Sequence, residues 1–479
     1  MENNTSFRRS LSLLDGALLV IGSMIGSGIF IVSADIARNV GSAGWLVVVW
    51  LISGFITLAA ALSYGELSGM YPHAGGQYVY LREAFGKLWG FLYGWAFFAV
   101  IQTGTIAAVA VGFGKFTGYL IPSLGEDNIL VGPMNLGFIT NFKITAAQLT
   151  GLATVILLTY INTRGVKNAK WIQFIFTNAK ILAMGALVLF GFFLFKDGSI
   201  WQNNWDAAWF AKRIGGDTDV ITHESLSTST LVISICIAMV GALFSSDAWN
   251  NVTFIAGEMK NPARNIGLSL FIGTVVVTLL YVSMNFMYLN VLSISEIANA
   301  PSDRVALAAA LKIFGAFGTT FIAVLIMVST FGCNNGLILS GARVYYTMAK
   351  DNLFLPAAGK LNDKGVPAKA LWMQSIWASV LCLSGQYGNL LDYIIFTVLI
   401  FYSLTIAGIF KLRKTQPDMP RPYKAFGYPV IPAIYIILAA FICMVLLIHK
   451  PTYTWPGLII VLAGIPIYYY LKKRGAATK

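Results

Sequence analysis

The 479-residue chain is 57% hydrophobic and 11% charged, with 33 Lys and Arg against 20 Asp and Glu, a formal net charge of +13. Charged residues make up roughly 25% of an ordinary soluble domain, so a surface facing water on all sides is excluded. The basic residues occupy alternate short loops and not one polar domain, which excludes the continuous basic groove that nucleic-acid binding requires.

Apolar runs of about 20 residues recur along the chain, each long enough to cross roughly 30 Å of hydrocarbon as a helix. Unpaired backbone groups are costly in lipid, which leaves helices or closed barrels, and the alternating ten-residue segments of a barrel are absent. The expected fold is therefore all-α and polytopic. Residues 1–12 form a polar start that includes Arg8 and Arg9. The run after it is too long and too glycine-rich for a cleavable signal peptide, so the first helix is expected to remain as an anchor. Helices are predicted at about 13–38, 43–69, 86–120, 146–163, 169–195, 229–256, 265–292, 305–347, 367–385, 388–411, 429–448 and 454–472, each boundary good to a few residues. Twelve spans put both termini on one side. Lys and Arg crowd the N terminus, the 2–3, 4–5, 6–7, 8–9 and 10–11 loops and the tail 473–479, so that side is predicted to be cytoplasmic. The long outer segment 196–228 carries Trp201, Trp205 and Trp209 at four-residue spacing, which predicts an interfacial lid helix with its indoles on one face.

The four cysteines (Cys236, Cys333, Cys382 and Cys443) all fall within apolar spans and read as small buried hydrophobes. The three histidines lie in separate loops, and no acidic metal-binding pair sits within a span, so neither a metal site, a cofactor nor an enzyme's catalytic cluster is expected. An ion channel would need rings of carbonyls or charges, which one asymmetric pair of helix breaks does not supply.

Those two breaks carry the chemistry. The first reads Ile21-Gly22-Ser23-Met24-Ile25-Gly26-Ser27-Gly28-Ile29-Phe30, with three glycines in seven residues. The second reads Val240-Gly241-Ala242-Leu243-Phe244-Ser245-Ser246-Asp247-Ala248-Trp249-Asn250-Asn251, where small polar residues and a carboxylate interrupt an apolar helix. Non-helical backbone at membrane depth persists only where it is buried in protein or lines a cavity. One break early in each group of five helices points to a binding site between inverted repeats. Unwinding at Gly26–Gly28 would expose the amides of Ser27, Gly28 and Ile29 at the positive end of a half-helix, a seat for a carboxylate. Carbonyls near Met24, and from Phe244 through Ser245 to Asp247, would face an ammonium. A zwitterionic α-amino acid offers both groups, and its side chain would lie near Phe244 and Asn250.

Together with Tyr64-Gly65-Glu66-Leu67, Gly75-Gly76-Gln77-Tyr78, Phe174-Ile175-Phe176-Thr177-Asn178-Ala179-Lys180 and Gly257-Glu258-Met259-Lys260-Asn261-Pro262, these stretches resemble the L-type (light-chain) amino acid transporters of the amino acid–polyamine–organocation superfamily. The resemblance runs in order from about residue 11 to 470. It implies a first inverted repeat over 13–195 and a second over 229–413, with helices 1 and 6 unwound at mid-membrane. Two peripheral helices would follow over 429–472. It further implies sodium-independent transport of L-amino acids, chiefly by exchange of small or large neutral substrates, with a proton-coupled or cationic permease as the alternative. Ser27 and Gly28 match the family's carboxylate-binding positions, the carbonyls of Met24, Phe244 and Asp247 its amino-group acceptors, and Phe244 its aromatic gate.

Lys180 lies deep in the fifth span, where a lysine is costly unless it has partners. The family resemblance makes it a stand-in for a sodium ion bridging helices 1, 5 and 8, with proton coupling through it left open. Cys333, Asn334 and Asn335 are aligned toward the same cavity. Asp247 has two open readings: recognition of a cationic substrate side chain, or gating and capping of the break. Animal members bond a glycoprotein heavy chain through a cysteine between spans 3 and 4. Residues 122–145 contain none, so no disulfide-linked partner is expected beyond substrate and bilayer.

Overall fold

The computed structural model describes residues 9–136, 139–195, 197–214, 225–384 and 387–477. The start of the N-terminal segment, the middle of the outer segment and the last two residues of the tail lie outside the described residues. The helices, in chain order, are α1 (Leu13–Met24), α2 (Ser33–Val40), α3 (Ala43–Met70), α4 (Gln77–Phe85), α5 (Lys87–Ala96), α6 (Gln102–Leu120), α7 (Ala146–Thr163), α8 (Val166–Phe193), α9 (Gly198–Asp206), α10 (Thr228–Ser245), α11 (Asn251–Phe254), α12 (Pro262–Val291), α13 (Ile294–Ala298), α14 (Val305–Lys350), α15 (Ala368–Ser384), α16 (Tyr387–Thr415), α17 (Val430–His449) and α18 (Pro451–Ala477). Strands β1 (Ile129–Leu136) and β2 (Ile139–Thr145) form one antiparallel hairpin.

Ten helices among the described residues are long and apolar enough to cross a membrane. Two of the twelve predicted spans fall outside that set. The span predicted at 13–38 is broken into α1 and α2, and the one predicted at 367–385 is α15, 17 residues long. The segment from α5 to α6 forms a single 34-residue span that passes through a π-helical turn at Phe97–Ile101.

Local sequence explains where the elements begin. Ser12 opens α1 with a reciprocal cap: its hydroxyl accepts from the Asp15 amide while the Asp15 carboxylate accepts from the Ser12 amide at 2.8 Å. Thr145 and Gln148 do the same for α7. Each cap satisfies two of the amides that a helix start leaves open. Pro262 occupies the first turn of α12, where its missing N–H removes nothing.

Three features differ from the sequence reading. The 3–4 connection, expected as loop, is the β-hairpin, and the 2–3 connection contains α4. The tryptophan lid is only partly formed. Trp201 and Trp205 share a face of α9, with ring centroids 5.3 Å apart, but α9 ends at Asp206 and Trp209 lies on a turn beyond it. The start of α3 draws the chain away at that point: Gly44 donates to the Ala208 carbonyl at 2.9 Å and the Trp45 indole to the Trp209 carbonyl at 3.2 Å.

Both broken segments lie at the centre of the bundle. The α1 helix packs on α8, α12 and α14, and α10 packs on α2, α3, α16 and α17. The α18 helix lies against α5, α16 and α17. At the end that carries residue 13, the chain before α1 is tied down by main-chain bonds. The amides of Ser10 and Leu11 donate to the Glu258 carbonyl at 2.9 and 3.0 Å, and the Lys260 amide donates to the Leu11 carbonyl at 2.8 Å. We call this end the N-terminal face and the other the distal face.

Candidate functional site

The helix of α1 stops at Met24, and Ile25, with φ −75° and ψ 89°, leaves helical geometry. A single 3-10 turn, Gly28–Phe30, precedes α2. The second interruption separates α10, which ends at Ser245, from the short α11, and Ala248 between them has φ +64°. A left-handed alanine costs of order 1 kcal/mol or more and persists only where its surroundings impose it.

The two breaks touch. A Cβ built on Gly28 would meet Ser245 Oγ at 2.1 Å, Ser245 Cβ at 2.9 Å and Ser245 Cα at 3.1 Å. Glycine is required here for close approach of backbone to backbone. Gly28→Ala is therefore expected to lower substrate exchange by about 10- to 100-fold, in line with the 1–3 kcal/mol typical of overpacking. Adding Ser245→Gly, which removes the two nearest atoms, is expected to restore part of that loss. Counterflow in liposomes measures both, and full activity of Gly28→Ala would remove the contact from the mechanism.

Around the breaks, side chains from neighbouring helices fill the carbonyls that helix termination releases. Lys180 on α8 is 1% exposed, and its ammonium donates to the carbonyls of Gly22 and Ile25, both at 2.8 Å. The last turn of α1 has no basic residue of its own, so Lys180 supplies the cation that a helix C-terminus favours. Cys333 Sγ donates to the Ser23 carbonyl at 3.0 Å, and Ser329 Oγ to that of Ile25 at 3.3 Å. The close approach of α1 to α8 depends on Gly22, whose Cβ would meet Gln173 Nε2 at 2.0 Å and Thr177 Oγ1 at 2.2 Å. Side chains from helices 5 and 8 of the sequence reading thus meet at the carbonyls that end helix 1. Asn335 takes a different course and accepts from Asn162 on α7 at 2.9 Å, while the buried Asn334 side chain has no hydrogen-bond partner among the described residues.

Three of the carbonyls expected to face a substrate ammonium, those of Met24, Phe244 and Ser245, are already engaged. The Met24 carbonyl accepts from the Gly26 amide at 2.9 Å and from the Tyr281 hydroxyl at 3.0 Å. The same hydroxyl lies 2.9 Å from the Ser245 carbonyl, so one phenol on α12 spans both breaks. The Phe244 carbonyl accepts from the Asp247 amide at 3.1 Å. Asn250, expected beside the substrate side chain, donates to Gln77 at 3.1 Å, and Gln77 donates to Thr405 at 3.1 Å. Asp247 Oδ1 accepts from the Tyr402 hydroxyl at 2.6 Å. Ser27, Gly28, Ile29 and Phe244 are all buried. Tyr281, Ser329 and Tyr402 are not legible in the sequence, because each is one of several hydroxyls on a predominantly apolar helix and nothing in the pattern distinguishes it.

A cavity of about 530 Å³ lies on the distal side of the breaks. Ile31, Val32, Val111, Val240 and Gly241 form its apolar part. Its rim is charged: Arg38 pairs with Asp303 at 2.8 Å, Lys115 lies 3.8 Å from Asp303 and 3.7 Å from Glu126, and Lys450 lies 3.3 Å from Asp392. At the N-terminal face lies a buried ion pair, Arg343 Nε to Glu258 Oε1 at 3.0 Å.

A helical bundle with two interrupted, mutually touching helices at its centre, and a chamber on one side of them, defines the class of secondary transporters built on discontinuous helices. A family model described as amino acid permease matches residues 11–468, and the chain belongs to that family. It is similar to the serine/threonine exchanger SteT of Bacillus subtilis (strain 168), 30% identical over 99% of each chain. It is also similar to the b(0,+)-type amino acid transporter 1 of Mus musculus, 26% identical over 98% of this chain and 88% of the relative. The human large neutral amino acids transporter small subunit 2 is 28% identical over 97% of this chain and 80% of its own length.

Proposed function

We propose that this permease exchanges small neutral L-amino acids across the cell membrane without sodium, by alternating access around the contact between the two breaks. The observation that carries this reading is the Lys180 ammonium bonded to the carbonyls of Gly22 and Ile25. A cation fixed at the end of α1 supplies the charge that a bound ion would otherwise provide. The amides of Ser27, Gly28 and Ile29 take the substrate carboxylate. The carbonyls of Met24 and Phe244 take its ammonium, the former by displacing the Tyr281 hydroxyl. Phe244 covers the bound substrate. Exchange is favoured by the likeness to a serine/threonine exchanger over nearly the whole of both chains.

In this reading the chain crosses the bilayer twelve times, as two inverted groups of five helices and a peripheral pair, and both termini are cytoplasmic. The distal chamber then faces outward, and the N-terminal face is the closed inner gate. With no cysteine in 122–145, the carrier works without a disulfide-linked subunit.

Counterflow tests the mode directly. Liposomes loaded with serine are expected to take up labelled serine at least about tenfold faster than empty ones, with no response to sodium or to an imposed pH gradient. Equal uptake by empty liposomes would make the protein a uniporter, and acceleration by an inward proton gradient would make it a symporter.

A further inference from the structure

Asp247 is the one carboxylate within either interrupted stretch. It is 7% exposed, and Tyr402 donates to it at 2.6 Å. The Tyr402 ring is itself held, edge-on to Tyr64 with centroids 5.9 Å apart and against Trp249 at 5.1 Å, so its hydroxyl is aimed by packing. Two small cavities adjoin the carboxylate. One is the more polar of the two, with Gln102, Thr105, Asn251 and Tyr402 facing Phe97, Ile101 and Leu337, and has about 10 Å³ of free space. The other is apolar, bounded by Ile56, Leu243, Val398 and Leu399. No Lys or Arg lines either one.

A buried carboxylate with no cation beside it is a ready partner for an ammonium or guanidinium on a substrate side chain. A phenol donor satisfies the same oxygen without bringing charge, and the polar cavity has room of the order of one water molecule. A cationic side chain entering there would be stripped of water, would have to displace or crowd Tyr402, and would gain little in return. We propose that Tyr402 is a positioning residue for selectivity: by occupying Asp247 it makes the site accept short neutral side chains and refuse cationic ones of the same length. This rests on the exchange reading above and narrows its substrate class. It also explains how an acid can sit in the break of a carrier for neutral substrates.

The test uses two ligands of equal length, L-homoserine and L-2,4-diaminobutyrate, as inhibitors of serine counterflow by the reconstituted full-length protein. The wild type is expected to bind diaminobutyrate about 100-fold more weakly than homoserine. In Tyr402→Phe that ratio is expected to shrink about tenfold or more, and adding Asp247→Asn to widen it again. A purely structural tyrosine would weaken both ligands together and leave the ratio alone. Ligand-induced thermal stabilisation of the purified protein reads the same ratio if Tyr402→Phe no longer transports. The inference is overturned if the wild type accepts diaminobutyrate as readily as homoserine, or if the ratio for Tyr402→Phe matches the wild type. A wild type that binds both ligands but shows no counterflow would sink the exchange reading alone, because the binding ratio still judges Tyr402.

Discussion

Lys180→Ala is expected to reduce exchange by about 100-fold or more at matched incorporation into liposomes, while the protein still inserts and purifies. The ammonium makes two charge-assisted hydrogen bonds, to Gly22 and Ile25, at a point where α1 has just ended. Such bonds are worth about 1.5–3 kcal/mol each, and a 100-fold change in rate corresponds to about 2.7 kcal/mol. Loss of one bond in the conformation that binds substrate is therefore sufficient. Alanine also leaves two buried carbonyls short of a donor, since only Ser329 Oγ, at 3.3 Å from the Ile25 carbonyl, stands nearby. Lys180→Met separates charge from packing, because it keeps most of the volume and none of the charge. It is expected to fail as completely as alanine. Near-normal exchange by Lys180→Met would show that the site needs a filler there and not a cation.

Much of the architecture could be read from the sequence because the bilayer imposes it. A run such as 43–69 has one economical solution in hydrocarbon, and the helix observed there, Ala43–Met70, departs from it by a single residue. Both breaks were legible for the complementary reason: glycines and small polar residues at membrane depth have no use in a continuous span. Lys180 stood out by its depth alone. What escaped notice depends on tertiary contact. Tyr281 and Tyr402 count as apolar in any window average, and only the folded chain shows where their hydroxyls point. The position of Asn250 in the break points it toward the substrate side chain, and only the folded chain shows that Gln77, 173 residues away in sequence, accepts from its amide. The hairpin was missed because Ile129-Leu130-Val131-Gly132-Pro133-Met134-Asn135-Leu136 does not alternate and carries a proline, and its register against β2 is irregular. The four-residue spacing puts Trp209 on one helical face with Trp201 and Trp205, but the helix ends at Asp206 and the carbonyls beyond it, of Ala208 and Trp209, accept from Gly44 and Trp45.

The second large effect is expected at the closed face. Arg343 is 0% and Glu258 4% exposed at the side chain, and the pair joins α14 to the connection between α11 and α12. Arg343 Nη1 also donates to the Leu339 carbonyl. Glu258 does double duty, because its carbonyl holds the amides of Ser10 and Leu11. Opening at this face would have to part α1 from these groups. Arg343→Leu strands a buried carboxylate and is expected to destabilise the protein by about 3–5 kcal/mol, whereas Glu258→Leu with Arg343→Leu is expected to cost distinctly less than the two single changes added together. Moving a two-state equilibrium from 1:99 to 99:1 takes about 5.5 kcal/mol. If the pair forms only while this face is closed, its loss is large enough to populate the open form. A cysteine at Leu18, which lines a small cavity near this face, then reports the shift: its alkylation is expected to accelerate about tenfold or more in Arg343→Leu. Unchanged melting and unchanged labelling in that variant would mean that the ion pair neither stabilises the fold nor holds the gate.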